Sequence, residues 1–219
     1  MSEHSTVAIV GGTGKLGAAI AGRLAKAGVA VVIGSRSAES AREVAERIGG
    51  GATGVANAEA AAMGEIVFVT VPFAAQEATL AEIRPHVGGK IVVETTVPLV
   101  PPKVMRVQLP PEGSAAARAQ GLLGEDVTLV SGFHNVAAHK LATDADIGCD
   151  VLVFGDDKAA RGRVAALADA MGLRGLQGGP LVNSAAAEAM TSVLIFLNKT
   201  YKVDGAGVRV TGTLIAPDE

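Results

Sequence analysis

The chain contains a single cysteine, Cys149, so an internal disulfide and any cysteine cluster for a metal are excluded. An unpaired thiol fits a reducing compartment and reads as a small buried hydrophobe. Tryptophan is absent and tyrosine occurs once, at Tyr201. The Tyr-x-x-x-Lys pair, in which a lysine lowers a tyrosine pKa, is excluded because Gly205 stands four positions on. The formal net charge is only −3 and no block of like charges occurs, so nucleic acid and anionic membranes are not expected partners. No run approaches the ~18 consecutive apolar residues of a membrane span. The first residues show neither a basic n-region nor an apolar h-region, so no secretory signal is expected and a cytoplasmic location is. No histidine–carboxylate cluster has ligand spacing, and no metal site is expected. Asp144 with Asp146, and Asp156 with Asp157, read as turn and cap residues.

What the chain does have is glycine in a specific pattern. Val7 to Val10 reads as a buried strand, followed by Gly12-x-Gly14-x-x-Gly17 and an amphipathic run from Lys15 to Ala27 that ends at Gly28. A strand, a glycine-rich turn and a helix in that order form a dinucleotide site. Gly12 is expected to permit the turn, Gly14 to admit the pyrophosphate, and Gly17 to let helix and strand pack closely. The helix N-terminus supplies N–H donors and a partial positive charge. The second strand, Val29 to Ile33, leads into Gly34-Ser35-Arg36 where an NAD site would carry Asp or Glu. A hydroxyl and a guanidinium suit a 2′-phosphate, which points to NADP(H).

Strand-like and helix-like segments then alternate. A helix over 37–48 stops at Gly49-Gly50-Gly51, and a short segment surrounds Val55. Glu65 to Val71 reads as a strand, 73–86 as a helix, and Lys90 to Glu94 as a strand. Alternation of this kind predicts an α/β fold, a Rossmann-type doubly wound parallel sheet. Pro98, Pro101, Pro102, Pro110 and Pro111 make 98–113 an irregular loop on the carboxyl edge, open to reading as a lid or a connector. Strands are expected over 126–131 and 150–155, a helix over 157–171 and a long apolar helix over 185–199. Residues 1–132 read as the dinucleotide-binding domain and 133–219 as a small C-terminal α/β appendage. The apolar helix and the Val208-Arg209-Val210-Thr211 stretch fit a homodimer interface, although a core helix explains the former equally well.

With these motifs in place, the chain resembles the NADPH-dependent reductases of the 5-deazaflavin coenzyme F420 over nearly its whole length. The resemblance rests on Gly11 to Gly17, Gly34-Ser35-Arg36, Thr70-Val71-Pro72 and Val97-Pro98. It rests more specifically on Ser131 to Ala138, on Phe154 to Asp157, and on Gly179 to Ser184. It implies hydride transfer between NADPH and F420, with the two rings stacked in a cleft between the domain and the appendage. Thr13, Gly14, Lys15 and Leu16 would hold the pyrophosphate, and Ser35 and Arg36 the 2′-phosphate. Val71, Pro72, Val97, Pro98, Val136 and Ala138 would flank the nicotinamide. His134, Asn135, Asn183, Ser184 and Gly207 would lie near the deazaflavin. The chain departs from the family pattern at Lys15, where Asn is familiar, at Ser40, where a second basic residue can assist, and at Ala185, where Arg is expected.

Such a reaction needs no acid–base pair, because the cofactors carry the chemistry while the protein aligns the rings and excludes water. His134 can hydrogen-bond a carbonyl of the second ring or tether the strand-to-helix turn. His139 is expected to face solvent or the phosphate tail, and His4 and His86 the surface. Two other readings use the same residues. An NADPH-dependent imine or ketone reductase shares the N-terminal fold but usually continues into a long helical dimerisation region. A non-catalytic NADP(H) sensor would bind the dinucleotide without oxidising it.

Overall fold

Runs of β-branched residues with no polar alternation are strands buried on both faces, and here they line up in one sheet. The computed structural model describes residues 5–215; His4 lies outside them. The strands are β1 (Val7–Val10), β2 (Val31–Ser35), β3 (Thr53–Ala56), β4 (Ile66–Val69), β5 (Ile91–Glu94), β6 (Thr128–Ser131), β7 (Asp150–Gly155) and β8 (Arg174–Gly179). The helices are α1 (Lys15–Lys26), α2 (Ala38–Ile48), α3 (Asn57–Met63), α4 (Phe73–Ile83), α5 (Ala115–Leu123), α6 (Ala138–Leu141), α7 (Lys158–Ala170) and α8 (Ser184–Tyr201). The strand order is β3-β2-β1-β4-β5-β6-β7-β8, so an α/β Rossmann-type sheet forms as the alternation predicts.

Helix α1 shows why the local sequence folds as it does. Gly17, Ile20, Ala21 and Leu24 recur at helical spacing and are buried, and Gly28 beyond the end adopts φ 79°. On one face of the sheet Ile20 and Leu24 pack with Phe68, Val153 and Val164; on the other Leu80, Val92, Leu123 and Leu129 form a second cluster.

Several elements depart from the sequence reading. Strand β7 runs antiparallel to β6, pairing only Val130 with Gly155 and Ser131 with Phe154. A parallel return needs a crossover element, and the connection from 132 to 149 holds only the single turn α6. Strand β8 then pairs parallel to β7, so the C-terminal part extends the same sheet. The predicted helix over 73–86 stops at Ile83 and tightens into a 3₁₀ turn, Arg84–His86, because Pro85 cannot donate to the helical ladder. Helices α3 and α5 and strand β8 have no counterpart in the sequence reading: the first two are alanine-rich without a sharp stripe, and β8 contains three glycines.

The proline-rich segment forms neither helix nor strand and is pinned to α8, where the Ser192 hydroxyl donates to the Arg106 carbonyl at 3.2 Å. The segment Leu181–Tyr201 is long and apolar enough to cross a membrane, with a mean hydropathy of 1.3. Here it packs on α5 and buries Ser184, Glu188 and Ser192.

Candidate active site

The strained turn after β1 is made by Gly11, with φ 71°, and not by Gly12 as the motif alone suggests. A side chain at Gly12 would meet the Ile9 carbonyl at 2.7 Å, so its need is steric: the turn folds back onto β1. A Cβ at Gly17 would lie 2.5 Å from Thr70 Oγ1 and 2.7 Å from Gly12 Cα, which is the close helix–strand packing expected of it. The α1 N-terminus has no side-chain cap and no acidic residue in its first turn. Its free N–H groups and dipole are therefore available to an anion. The Gly11 N–H donates to Asn57 Oδ1 at 3.2 Å, a buried support that the sequence reading missed.

Ser35, buried at the end of β2, has its hydroxyl 3.4 Å from that of Thr13, which brings the two predicted phosphate loops together. Arg36 and Lys15 are exposed, and among the described residues neither enters an ion pair. Ser40 donates its backbone N–H to Ser37 Oγ at 3.2 Å, so this region serves as the cap of α2. A cleft of about 520 Å³ runs from Thr13, Gly14 and Lys15 along α1 to Ala138 and His139. Ala138, expected beside the nicotinamide, thus lies across from the phosphate loop. His139 lines the same cleft, and its Nε2 pairs with Asp204 at 2.8 Å.

The carboxyl ends of β4 and β5 are laced by hydroxyls. Thr70 donates to the Val10 carbonyl at 2.9 Å, Thr95 to Val69 at 2.9 Å and Thr96 to Val71 at 3.2 Å. These bonds hold Val71 and Val97 half-buried beside the glycine turn; Pro98 is buried and Pro72 exposed. Behind them Glu94 is fully buried and accepts from the Thr96 N–H at 2.8 Å. Burial pushes its carboxyl up to about 7, against the pull of Thr96 and Gln76, with Glu188 adding like-charge repulsion. Glu94 Oε2 and Gln76 Oε1 are both buried without a hydrogen-bond partner.

Among the residues expected near the acceptor, His134 is buried and its Nε2 lies 2.9 Å from Ser131 Oγ. Ser131 Oγ is 2.7 Å from Ser184 Oγ, and Ser184 donates to Glu188 at 2.8 Å. Burial pulls the His134 imidazole down to about 3, so it is neutral. Phe133 sits at φ 66°, an uncommon conformation for a bulky residue, and packs edge-on against Phe68 at 5.6 Å. Asn135 donates to the Ala187 carbonyl at 2.9 Å and to Thr191 at 3.1 Å, anchoring the 133–136 turn to α8. His134, Ser184 and Asn135 are therefore gathered around one end of α8. Asn183 is exposed and bonds the Gly178 carbonyl, while Gly207 is exposed and abuts Cys149. Glu94, Gln76, Ser131 and Glu188 were not predicted as functional. The usable signals were a carboxylate ending a β-branched strand and a Ser–Glu pair four apart on an apolar helix.

Residues 6–98 match the family model described as NADP oxidoreductase coenzyme F420-dependent. The F420-dependent NADP reductase of Methanocaldococcus jannaschii is 38% identical over 220 residues, covering 94% of this chain and 97% of that one. A crystal structure from Arthrobacter sp. FB24, provisionally described as an F420-dependent NADP reductase, superposes with a TM-score of 0.82 at 25% identity, covering 94% and 99% of the two chains. An imine reductase from Bacillus cereus shares the fold at a TM-score of 0.65 and 16% identity, but this chain spans only 62% of it. Similarity at this level through both the dinucleotide half and the C-terminal strands means that the chain belongs to the F420-dependent NADP reductase family.

Proposed function

We propose that the protein transfers a hydride between NADPH and the deazaflavin F420. The reading is carried by one observation: similarity to F420-dependent NADP reductases covers 94% of the chain, and so includes the acceptor side as well as the dinucleotide loop. Residues 1–132 supply the dinucleotide side, and residues 133–219 complete the acceptor pocket. The fit of an NADP phosphate rests on the uncapped α1 N-terminus beside Ser35 and the unpaired Arg36. Thr13, Gly14, Lys15 and Leu16 receive the pyrophosphate. Val71, Pro72, Val97, Pro98, Val136 and Ala138 bound the nicotinamide end. His134, Asn135, Asn183, Ser184 and Gly207 bound the deazaflavin. When bound, NADPH supplies the hydride; the protein orients the rings and keeps water out.

The protein works as a cytoplasmic homodimer. Met190, Val193 and Phe196 are 41–51% exposed along one side of α8, an apolar face that a second copy would bury. Sedimentation at micromolar concentration distinguishes dimer from monomer. The activity is tested by mixing protein, NADPH and oxidised F420 and following deazaflavin absorbance. NADPH-preferring bleaching is expected. Tight NADPH binding without bleaching would exclude this acceptor and leave another reductase or a sensor.

A further inference from the structure

Four side chains in series join the N-terminus of α5 to the imidazole of His134. Ser131, Ser184, Glu188 and His134 are at most 6% exposed, so no bulk water competes for their hydrogen bonds. Glu188 receives the Ala115 N–H on Oε2 at 2.6 Å, and the Ala116 N–H on Oε1 at 3.1 Å. Two donors at a helix N-terminus, together with its positive dipole end, favour the ionised carboxylate, which can only accept.

That restriction sets the direction of every remaining bond. The one hydroxyl hydrogen of Ser184 goes to Glu188 at 2.8 Å. Ser184 Oγ must then accept, and its neighbour at 2.7 Å is the Ser131 hydroxyl. Ser131 has now given its only hydrogen, so at 2.9 Å it must accept from His134 Nε2. The imidazole therefore carries its proton on Nε2. Nδ1, which is buried without a partner, is left as a bare lone pair. The other tautomer would instead bury an N–H with no acceptor, the rarer and costlier arrangement.

We propose that Glu188 is a positioning residue: through Ser184 and Ser131 it holds His134 as the neutral Nε2–H tautomer. His134 then has no hydrogen to offer a substrate, because its one N–H is committed to Ser131. Granting the proposed activity, a ring carbonyl of the acceptor finds no donor at His134, and this imidazole can engage only a group that donates a hydrogen bond.

Long-range ¹H–¹⁵N correlation spectra of the ¹⁵N-labelled protein read the tautomer directly, with the His134→Gln protein identifying the signals. The wild type is expected to show neutral Nε2–H at pH 7 to 8, where the Glu188 carboxylate is ionised. Glu188→Gln replaces the accepting oxygen by an amide donor, reverses the chain and should move the proton to Nδ1. Should that variant fail to fold, Ser184→Ala interrupts the chain and should give a mixture of tautomers. A wild-type imidazole protonated on Nδ1 or on both nitrogens at pH 7 would overturn the proposal, as would an unchanged Nε2–H signal in a folded variant. The spectra need no acceptor, so failure of F420 reduction would sink the activity reading alone.

Discussion

Replacing Glu94 by Gln should remove a pH dependence built into the sheet. The Glu94 carboxyl is fully buried, receives one backbone N–H and is pushed up to about 7 by desolvation. A carboxyl raised from 4.5 to about 7 on folding favours the protonated folded state by about 3 kcal/mol at most. Below pH 4.5 both folded and unfolded chains are protonated, and this contribution is complete. Between 4.5 and 7 the unfolded chain ionises alone, and stability falls as pH rises. Above 7 the folded carboxyl ionises too, and the contribution is gone. A proton on Glu94 would also turn its buried, unpartnered Oε2 into a donor. Gln at 94 supplies that donor at every pH. Urea unfolding at pH 5.5, 6.5, 7.5 and 8.5 should show the wild type losing stability up to pH 7.5 and then levelling off, with Glu94→Gln nearly flat and overtaking it above pH 7. Glu188, also raised by burial, would leave a shallow residual slope at the acid end. Parallel curves for the two proteins would refute the reasoning, since they would mean that Glu94 does not titrate between the two states.

Arg36→Ala should weaken NADPH binding by about 1.5–3 kcal/mol, roughly ten- to a hundredfold, and leave NADH unchanged in calorimetry; equal losses would exclude Arg36 as the 2′-phosphate ligand. Gly17→Ala drives a Cβ to 2.5 Å from Thr70 Oγ1 and 2.7 Å from Gly12 Cα. It should destabilise by about 1–3 kcal/mol, and an unchanged melting curve would show that the turn yields freely. Ala138→Leu places an isobutyl group in the cleft at the proposed nicotinamide end; turnover with F420 should be abolished while NADPH still binds, and normal turnover would place the nicotinamide elsewhere. Asp150, buried and bonded to Arg174 and the Val210 N–H, holds the 207–210 stretch on β7. Asp150→Ala should make that stretch the first site of proteolysis, and equal resistance in both proteins would show that other contacts suffice.

The glycine turn and the polar end of β2 were legible because their signals are local. Gly12, Gly14, Gly17, Ser35 and Arg36 sit in short windows whose residue types carry the chemistry. Which glycine takes the positive φ was not legible, since the Gly11-Gly12 pair reads the same either way and only the fold assigns 71° to Gly11. The buried polar cluster was not legible for a different reason. Gln76, Glu94, Ser131, Ser184 and Glu188 come from α4, β5, β6 and α8, and no spacing along the chain announces that they meet. Direction was hidden as well: Val151-Leu152-Val153-Phe154 has the same pattern in a parallel or an antiparallel strand. Three glycines in β8 masked a strand that pairs with β7; glycine is needed there because a Cβ would collide, at 2.4 Å from the Ala165 carbonyl for Gly175.

The antiparallel return of β7 shapes the side of the sheet where the acceptor is proposed to bind. Because β6 and β7 share only two residue pairs, Asp150 to Val153 run on past the carboxyl end of β6, and β8 pairs along that extension from Arg174 to Gln177. The result is a wall standing beyond the edge where dinucleotides bind in such sheets. Phe154 in this wall lies 6.5 Å, ring to ring, from His134, and the Asp150–Arg174 pair ties the 207–210 stretch to its rim. A parallel β7 would begin at the opposite edge and leave His134 facing solvent. Since the wall and the dinucleotide loop belong to one hydrogen-bonded sheet, the distance between them is set by strand register and not by a hinge. For the proposed hydride transfer, a sheet with one reversed strand would hold the two rings at a fixed separation without a closing motion.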